Sequence, residues 1–109
     1  MPIKITEAMK VKTEPINARR KEYILRLFVT GILPNSVKAV LNIKAICEKY
    51  LNDRYELEII DIYQQPDLAL TEDILAVPVL VKKSPLPEVR MIGDLSNVEK
   101  VLNGLGINH

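Results

Sequence analysis

Few side chains in this sequence could make or break a bond. Cys47 is the one thiol and His109 the one histidine. Dithiol exchange needs an attacking and a resolving thiol, so it is excluded by stoichiometry. His109 is the final residue, a poor anchor for a triad, and one cysteine plus one histidine fall short of a zinc ligand set. Cys47 lies among Ile43, Ile46 and Leu51, which predicts a small buried hydrophobe, not a reactive thiol. Glu56 and Glu58 are two apart on a predicted strand, so both carboxylates share one face, the pattern of a solvated surface. Asp61 ends a strand expected to be buried, where a carboxylate needs a partner. Anchoring a loop suits it better than general-acid work. No glycine-rich phosphate loop is present, and nothing calls for a cofactor or metal.

The bulk properties fit a protein that acts through its shape. The 109 residues allow one core. With 15 basic against 14 acidic residues, no net field draws the chain to nucleic acid or anionic membrane. The basic residues lack interleaved aromatics, which argues further against nucleic acid. No apolar run reaches membrane-spanning length, and the N-terminus lacks a secretory signal. The expected setting is a reducing cytoplasm. Residues 1–22 mix Lys4, Lys10, Lys12, Arg19, Arg20 and Lys21 with Pro2 and Pro15, and are expected to form a flexible basic arm.

The folded domain, 23–109, must position what remains. Tyr23 to Thr30 is a β-branched and aromatic run that suits a strand buried on both faces. Asn35-Ser36 offers N-cap chemistry. Val37, Val40, Leu41, Ile43, Ile46, Cys47 and Tyr50 then recur at helical spacing and predict an amphipathic helix. Tyr55 to Ile62 reads as a second strand, parallel to the first because a helix separates them. Pro66 to Asp73 suits a short helix. Ile74 to Val81 is apolar and interrupted by Pro78, and Glu88 to Ile92 reads as a short strand. Gly93-Asp94 reads as a turn. Ser96-Asn-Val-Glu99 reads as a capping box, and Val98, Val101, Leu102 and Leu105 as a helical stripe that Gly104 and Gly106 end.

The order βαβαββα is that of a thioredoxin-like α/β domain with a mixed four-stranded sheet and helices on both faces. That fold places a proline, normally cis, at the start of its third strand. The Val77–Pro78 bond is therefore predicted to be cis.

Five segments then carry a resemblance: Tyr23-Ile-Leu-Arg-Leu-Phe-Val-Thr-Gly-Ile-Leu-Pro-Asn-Ser-Val37, Glu58-Ile-Ile-Asp-Ile62, Pro66-Asp-Leu-Ala69, Ile74-Leu-Ala-Val-Pro-Val-Leu80 and Arg90-Met-Ile-Gly-Asp-Leu-Ser96. With Glu99-Lys-Val-Leu102, they resemble the KaiB family, essentially without gaps from Tyr23 to Leu105. The resemblance implies a protein without enzymatic activity of its own. KaiB proteins bind KaiC, a hexameric RecA-like ATPase and autokinase, and in the clock sequester KaiA. Relatives also occur with KaiC-like partners in stress adaptation. The family has two folds, a tetrameric ground state of order βαββααβ and a thioredoxin-like monomer that binds KaiC. The Gly104-Leu-Gly106 stretch matches a region that tunes this balance. The shortened C-terminal end is expected to favour the thioredoxin-like state, and a helical Ser84–Ile92 would overturn that expectation.

By the same resemblance, Asn35, Lys38, Pro66, Asp67, Glu72, Asp73 and Arg90 are expected to meet a KaiC-like ATPase. Tyr55, Leu57 and Glu58 mark the edge that meets KaiA. Family members often carry a basic residue at the position of Asp73. Self-association as a dimer or tetramer is compatible with the family. The competing readings are a thioredoxin-type enzyme, for which neither Ile32 nor Leu33 supplies a nucleophile, and a module docking on a histidine kinase.

Overall fold

The computed structural model describes residues 22–31 and 33–107. In chain order they form β1 (Tyr23–Val29), α1 (Pro34–Ile46, continued by a π-helical turn over Cys47–Leu51), β2 (Tyr55–Asp61), α2 (Pro66–Thr71), β3 (Val79–Ser84), β4 (Val89–Ile92) and α3 (Val98–Leu105). This is the predicted βαβαββα order, and the segment Ser84–Ile92 holds strand and turn, not helix. Residues 1–21 and 108–109 lie outside the described residues, and with them the expected arm and His109.

The sheet order is β2-β1-β3-β4. β1 runs parallel to β2, with Tyr23 opposite Tyr55 and Val29 opposite Asp61. β3 is antiparallel to both β1 and β4. β1 thus sits between two neighbours and under helices on both sides, which is why its residues are apolar on both faces. Tyr23, Leu25, Leu27 and Val29 face the larger cluster, with Ala39, Ile43, Ile46 and Cys47 from α1 and Val101, Leu102 and Leu105 from α3. Phe28 turns the other way, into a smaller cluster with Ile60, Val79 and Val81, against which Leu68 of α2 packs. Removal of Leu25, Leu27 and Phe28 from water stabilises the fold by roughly 1.5–3 kcal/mol each.

The Val77–Pro78 bond is cis, as predicted. β3 begins only at Val79, so Pro78 precedes the ladder, and its carbonyl accepts the Gly93 N–H at 2.9 Å. The apolar run Ile74–Val81 is therefore loop up to Pro78 and strand from Val79.

Four local expectations are corrected. Asn35 and Ser36 do not cap α1: the helix begins one residue earlier at Pro34, with no side-chain cap, and Ser36 Oγ instead accepts the Thr30 N–H at 3.1 Å. The cap of α3 is Asn97, not Ser96. Its side-chain oxygen accepts the Lys100 N–H at 3.1 Å, while the Ser96 N–H goes to Asp94 Oδ1. Gly106 ends α3 in a left-handed conformation (φ 76°), the use of glycine expected there. Gly104 does not end the helix; it lies inside α3, so close to Met91 that a Cβ would stand 2.5 Å from the sulfur. Finally, Val37 and Leu41 are exposed, so α1 is apolar on both faces and not amphipathic as predicted.

α2 has six residues and none is buried, so apolar burial contributes little to holding it. Charge does that work. Glu72, just past its end, accepts from Arg26 Nη1 at 3.1 Å and from Lys83 Nζ at 3.0 Å, with Arg90 Nη2 at 3.7 Å. Its side chain is only 11% exposed. Arg26 also meets Glu58 at 3.4 Å, while Lys83 and Arg90 each meet Glu88 at 3.3 Å. One ion network thus crosses every strand on the α2 face. Glu72→Gln leaves three cations around a neutral amide. We predict a loss of about 2 kcal/mol in urea unfolding, where a mere surface pair would cost under ~0.5 kcal/mol.

Cys47 is fully buried, and burial pushes its thiol from 9.0 up to about 12. The Glu48 carboxylate that accepts the Tyr55 hydroxyl proton holds that phenol at about 12 as well. Both folded values exceed the unfolded ones, so their contribution is complete below about pH 9 and is lost as pH rises toward 12. Urea midpoints measured across that window should fall, with a shallower slope in Cys47→Ala. A thiol that reacts at full rate with a disulfide reagent in the native protein at pH 8 would contradict this placement.

Candidate docking surface

The residues predicted to meet partners fall into three places, set by the sheet order. Asn35 and Lys38 are exposed on the first turns of α1. Pro66 and Asp67 are exposed on the first turn of α2, and Asp73 follows that helix with φ 55°. Arg90 on β4 reaches back to it, donating from Nη1 to the Asp73 carbonyl at 3.2 Å. Tyr55, Leu57 and Glu58 lie on β2 at the opposite edge of the sheet. The fold therefore brings Asp73 and Arg90 together and keeps the β2 group apart from them.

Several of these side chains already have internal work. Glu72 is the hub described above, so it positions α2 and does not offer a free carboxylate. Glu58 pairs with Arg26 from β1. The Tyr55 hydroxyl donates to Glu48 at 2.8 Å, and Leu57 packs half-buried against the larger core. Asn35, Lys38, Pro66 and Asp67 are exposed and belong to neither core cluster, so they are the candidates most open to a partner.

The ends of β1 and β2 are tied by Asp61, as its position suggested. Oδ2 accepts the Gly31 N–H at 3.0 Å and Oδ1 the Tyr63 N–H at 2.8 Å. One carboxylate thus fixes the start of both connections, including the loop that leads into α1. Beside that loop lies a cleft of about 310 Å³ between the start of α1 and the cis Pro78, with Thr30, Leu33 and Ser36 in its wall. A second hollow of about 190 Å³ lies under the loop between α2 and β3, walled by Ile74, Leu75, Val79, Arg90 and Ile92.

Among the described residues, no His, Cys, Lys or carboxylate lines the first hollow, and the second holds Asp73 and Arg90. Asp73 and Arg90, in the second, are bound to each other through a backbone carbonyl, and Ile32 lies outside the described residues. Among the described residues, no group of three or more His, Cys, Asp or Glu could hold a metal, and no helix is long and apolar enough to cross a membrane.

Leu33 and Leu41 are surface residues that the sequence reading did not single out or wrongly assigned to the core. The signal was available in the excess of apolar positions in α1. Ala39, Ile43, Ile46 and Cys47 already fill one face. Leu33, Val37 and Leu41, spaced by four, cannot share it and lie on the opposite side.

The comparisons with known proteins match this description. The KaiB domain model matches residues 26–107. The chain is 49% identical over 84 residues to circadian clock protein KaiB3 of Synechocystis sp., covering 77% of this chain and 82% of that one. It is 50% identical over 88 residues to circadian clock oscillator protein KaiB of Synechococcus elongatus, covering 81% and 86%. Among solved structures, the N-terminal domain of Synechococcus elongatus SasA superposes with a TM-score of 0.64 at 21% identity, covering 88% of this chain and 91% of that one. Mitochondrial thioredoxin 3 from Saccharomyces cerevisiae gives 0.62 at 15%, covering 76% and 78%. Those two structures speak to the fold alone. With half of its aligned residues shared with clock proteins of that family, and the family's domain matched across nearly all of its folded part, the chain belongs to the KaiB family in its thioredoxin-like form.

Proposed function

We propose that this protein is a non-enzymatic regulator that binds a KaiC-like hexameric RecA-type ATPase and autokinase. Binding alters the ATPase rate or phosphorylation state of that partner, in circadian timing or in stress-adaptation signalling, within the cytoplasm. The observation that carries the reading is the match of the KaiB domain over residues 26–107. The names of the similar proteins, both circadian clock proteins, support the setting.

The chemistry of the chain agrees with a binding role. The segment Thr30 to Ser36 sits where a thioredoxin carries its dithiol, and it contains no cysteine. The single thiol is in the core with its pKa driven up by burial, so it is a poor nucleophile at neutral pH. Of the surfaces named, Asn35 and Lys38 on α1 together with Pro66 and Asp67 on α2 serve the ATPase. The β2 edge around Tyr55 serves a KaiA-type partner where the host has one.

The test is a pull-down of the host's KaiC-like ATPase by the tagged full chain with ATP present, followed by ATPase and phosphorylation assays. The expected result is a nucleotide-dependent complex and a changed rate. Absence of a complex, together with unchanged ATPase and phosphorylation, would defeat the reading. Insulin reduction by the purified chain should stay at background.

A further inference from the structure

We infer that the segment Met9–Thr13 of this chain seats on the free edge of β2 as an antiparallel strand and holds that edge closed. Closure regulates binding only on the reading above, in which the β2 edge serves a KaiA-type partner. The seating itself does not depend on that reading.

β2 is an edge strand without the usual protection. It pairs with β1 on one side, and among the described residues nothing pairs with the other. Backbone N–H and C=O groups on that side are open to a further strand. Which groups these are follows from the ladder. The Ile62 N–H, just past β2, donates to the Val29 carbonyl at 3.0 Å. By alternation, Tyr55, Leu57 and Ile59 turn their N–H and C=O away from β1. Natural edges are blunted by lysine, proline or a bulge. Tyr55–Asp61 contains no lysine, arginine or proline, and its register with β1 is unbroken.

The side chains of β2 set a pattern of period two. Leu57 and Ile59 lie opposite Leu25 and Leu27, on the side of the larger core, and Ile59 remains 38% exposed. Glu56 and Glu58 lie on the other side, and both are exposed. Arg26 meets Glu58 at 3.4 Å, while among the described residues Glu56 makes no ion pair. A strand that fits this edge alternates apolar with basic residues.

The chain carries that pattern itself. Met9-Lys-Val-Lys-Thr13, which lies outside the described residues, alternates in this way. Run antiparallel with Lys12 opposite Glu56 and Lys10 opposite Glu58, it sets Val11 against Leu57 and Met9 against Ile59. Leu57 and Ile59 are then the hydrogen-bonded positions. The two Lys–Glu pairs fall at the other positions, where side chains stand closer. A slip of one residue would put both lysines on the apolar side. A second copy of β2 on this edge would set glutamates against glutamates. Ile3-Lys-Ile-Thr6 offers one lysine in place of two, on a longer tether.

The tether has the right direction and length. Glu22, the last residue before β1, is tied to the foot of β2. Its carboxylate accepts from Arg54 Nη1 at 2.7 Å, and the adjoining Tyr23 N–H donates to the Arg54 carbonyl at 3.0 Å. Tyr55 follows Arg54, lies opposite Tyr23, and is where the antiparallel register places Thr13. Two strand spacings, about 10 Å, then separate Thr13 from Tyr23. Residues 14–22 can span up to about 30 Å, and they hold Pro15, which a ladder would exclude. A parallel arrangement would have to return along β2 as well.

The experiment is amide hydrogen exchange by NMR on the full chain, with no partner present. The Leu57 and Ile59 amides should exchange at least tenfold faster in Val11→Pro and in Lys10→Glu/Lys12→Glu than in wild type, with Leu27 and Phe28 unchanged. Both variants leave residues 23–109 unaltered. Adding Glu56→Lys to Lys12→Glu should restore protection that Lys12→Glu alone removes. Equal exchange at Leu57 and Ile59 in wild type and both variants would overturn the inference. Protection that rises with protein concentration would assign the strand to another copy and overturn the intramolecular seating. Either result leaves the reading of a KaiC-like partner untouched, and a failed pull-down of that partner would leave the seating of Met9–Thr13 standing.

Discussion

The carboxylate of Glu72 is the point on which one whole side of this domain depends. α2 is too short and too exposed to be held by apolar contact, since its main inward residue, Leu68, is only partly buried. Three cations from three different strands, Arg26 on β1, Lys83 on β3 and Arg90 on β4, converge on that carboxylate or lie beside it. Glu58 and Glu88 balance the excess positive charge at the two ends. Isolated surface pairs contribute little, because water competes with each partner. Here the central acid is mostly shielded, and every charge in the chain of pairs has an opposite neighbour. The network therefore fixes where α2 lies over the sheet. It thereby sets the positions of Pro66 and Asp67 at one end of α2 and Asp73 at the other.

A similar economy governs the opposite side. Thioredoxin-like scaffolds present the start of their first helix next to a cis proline, which makes a cleft at one end of the sheet. In this chain the cleft is kept and the thiols are not. Asp61 clamps the loop before α1 through the Gly31 N–H, and the Ser36 hydroxyl accepts from Thr30, so the cleft has a defined shape. The polar groups that hold it are spent on backbone N–H groups. A rigid hollow with apolar walls and an uncapped helix end is suited to recognition, which asks for complementary shape and charge and not for proton transfer.

The sequence made the architecture legible because its main signals are local. The β-branched run at Tyr23–Val29 marks a strand that must be buried on both faces, and the length of α1 forces β1 and β2 to be parallel. Pro78 could be justified only at the mouth of a strand, where it lies. Asp61 was legible as an anchor because an acid at the end of an apolar strand has few other uses. The misses share a cause, which is that they depend on contacts between distant segments. Asn97, not Ser96, caps α3, while the Ser96 N–H is held by Asp94. Gly104 looked like a helix terminator, but it lies inside α3, where its missing side chain leaves room for that of Met91 on β4. Glu72 looked like a free surface acid, and nothing in its neighbours along the chain announces Arg26, Lys83 or Arg90.

The two faces of α1 show how an exposed apolar face can be missed for the same reason that a fold is found. Apolar periodicity is evidence for burial only up to the number of positions one face can hold. In α1 the core takes Ala39, Ile43, Ile46 and Cys47, and each is at most 4% exposed. Val40 packs at the edge of that core, and Val37 and Leu41 are left to water. There an aliphatic residue costs solubility unless something covers it, since exposed apolar stripes are kept where they are used. Val37 and Leu41 therefore carry information because they are surplus to the core. Beside them, the exposed Lys38 and Lys44 carry the positive charge of that helix. The inner face of α1 closes the larger core, while its outer face leaves Val37 and Leu41 in water.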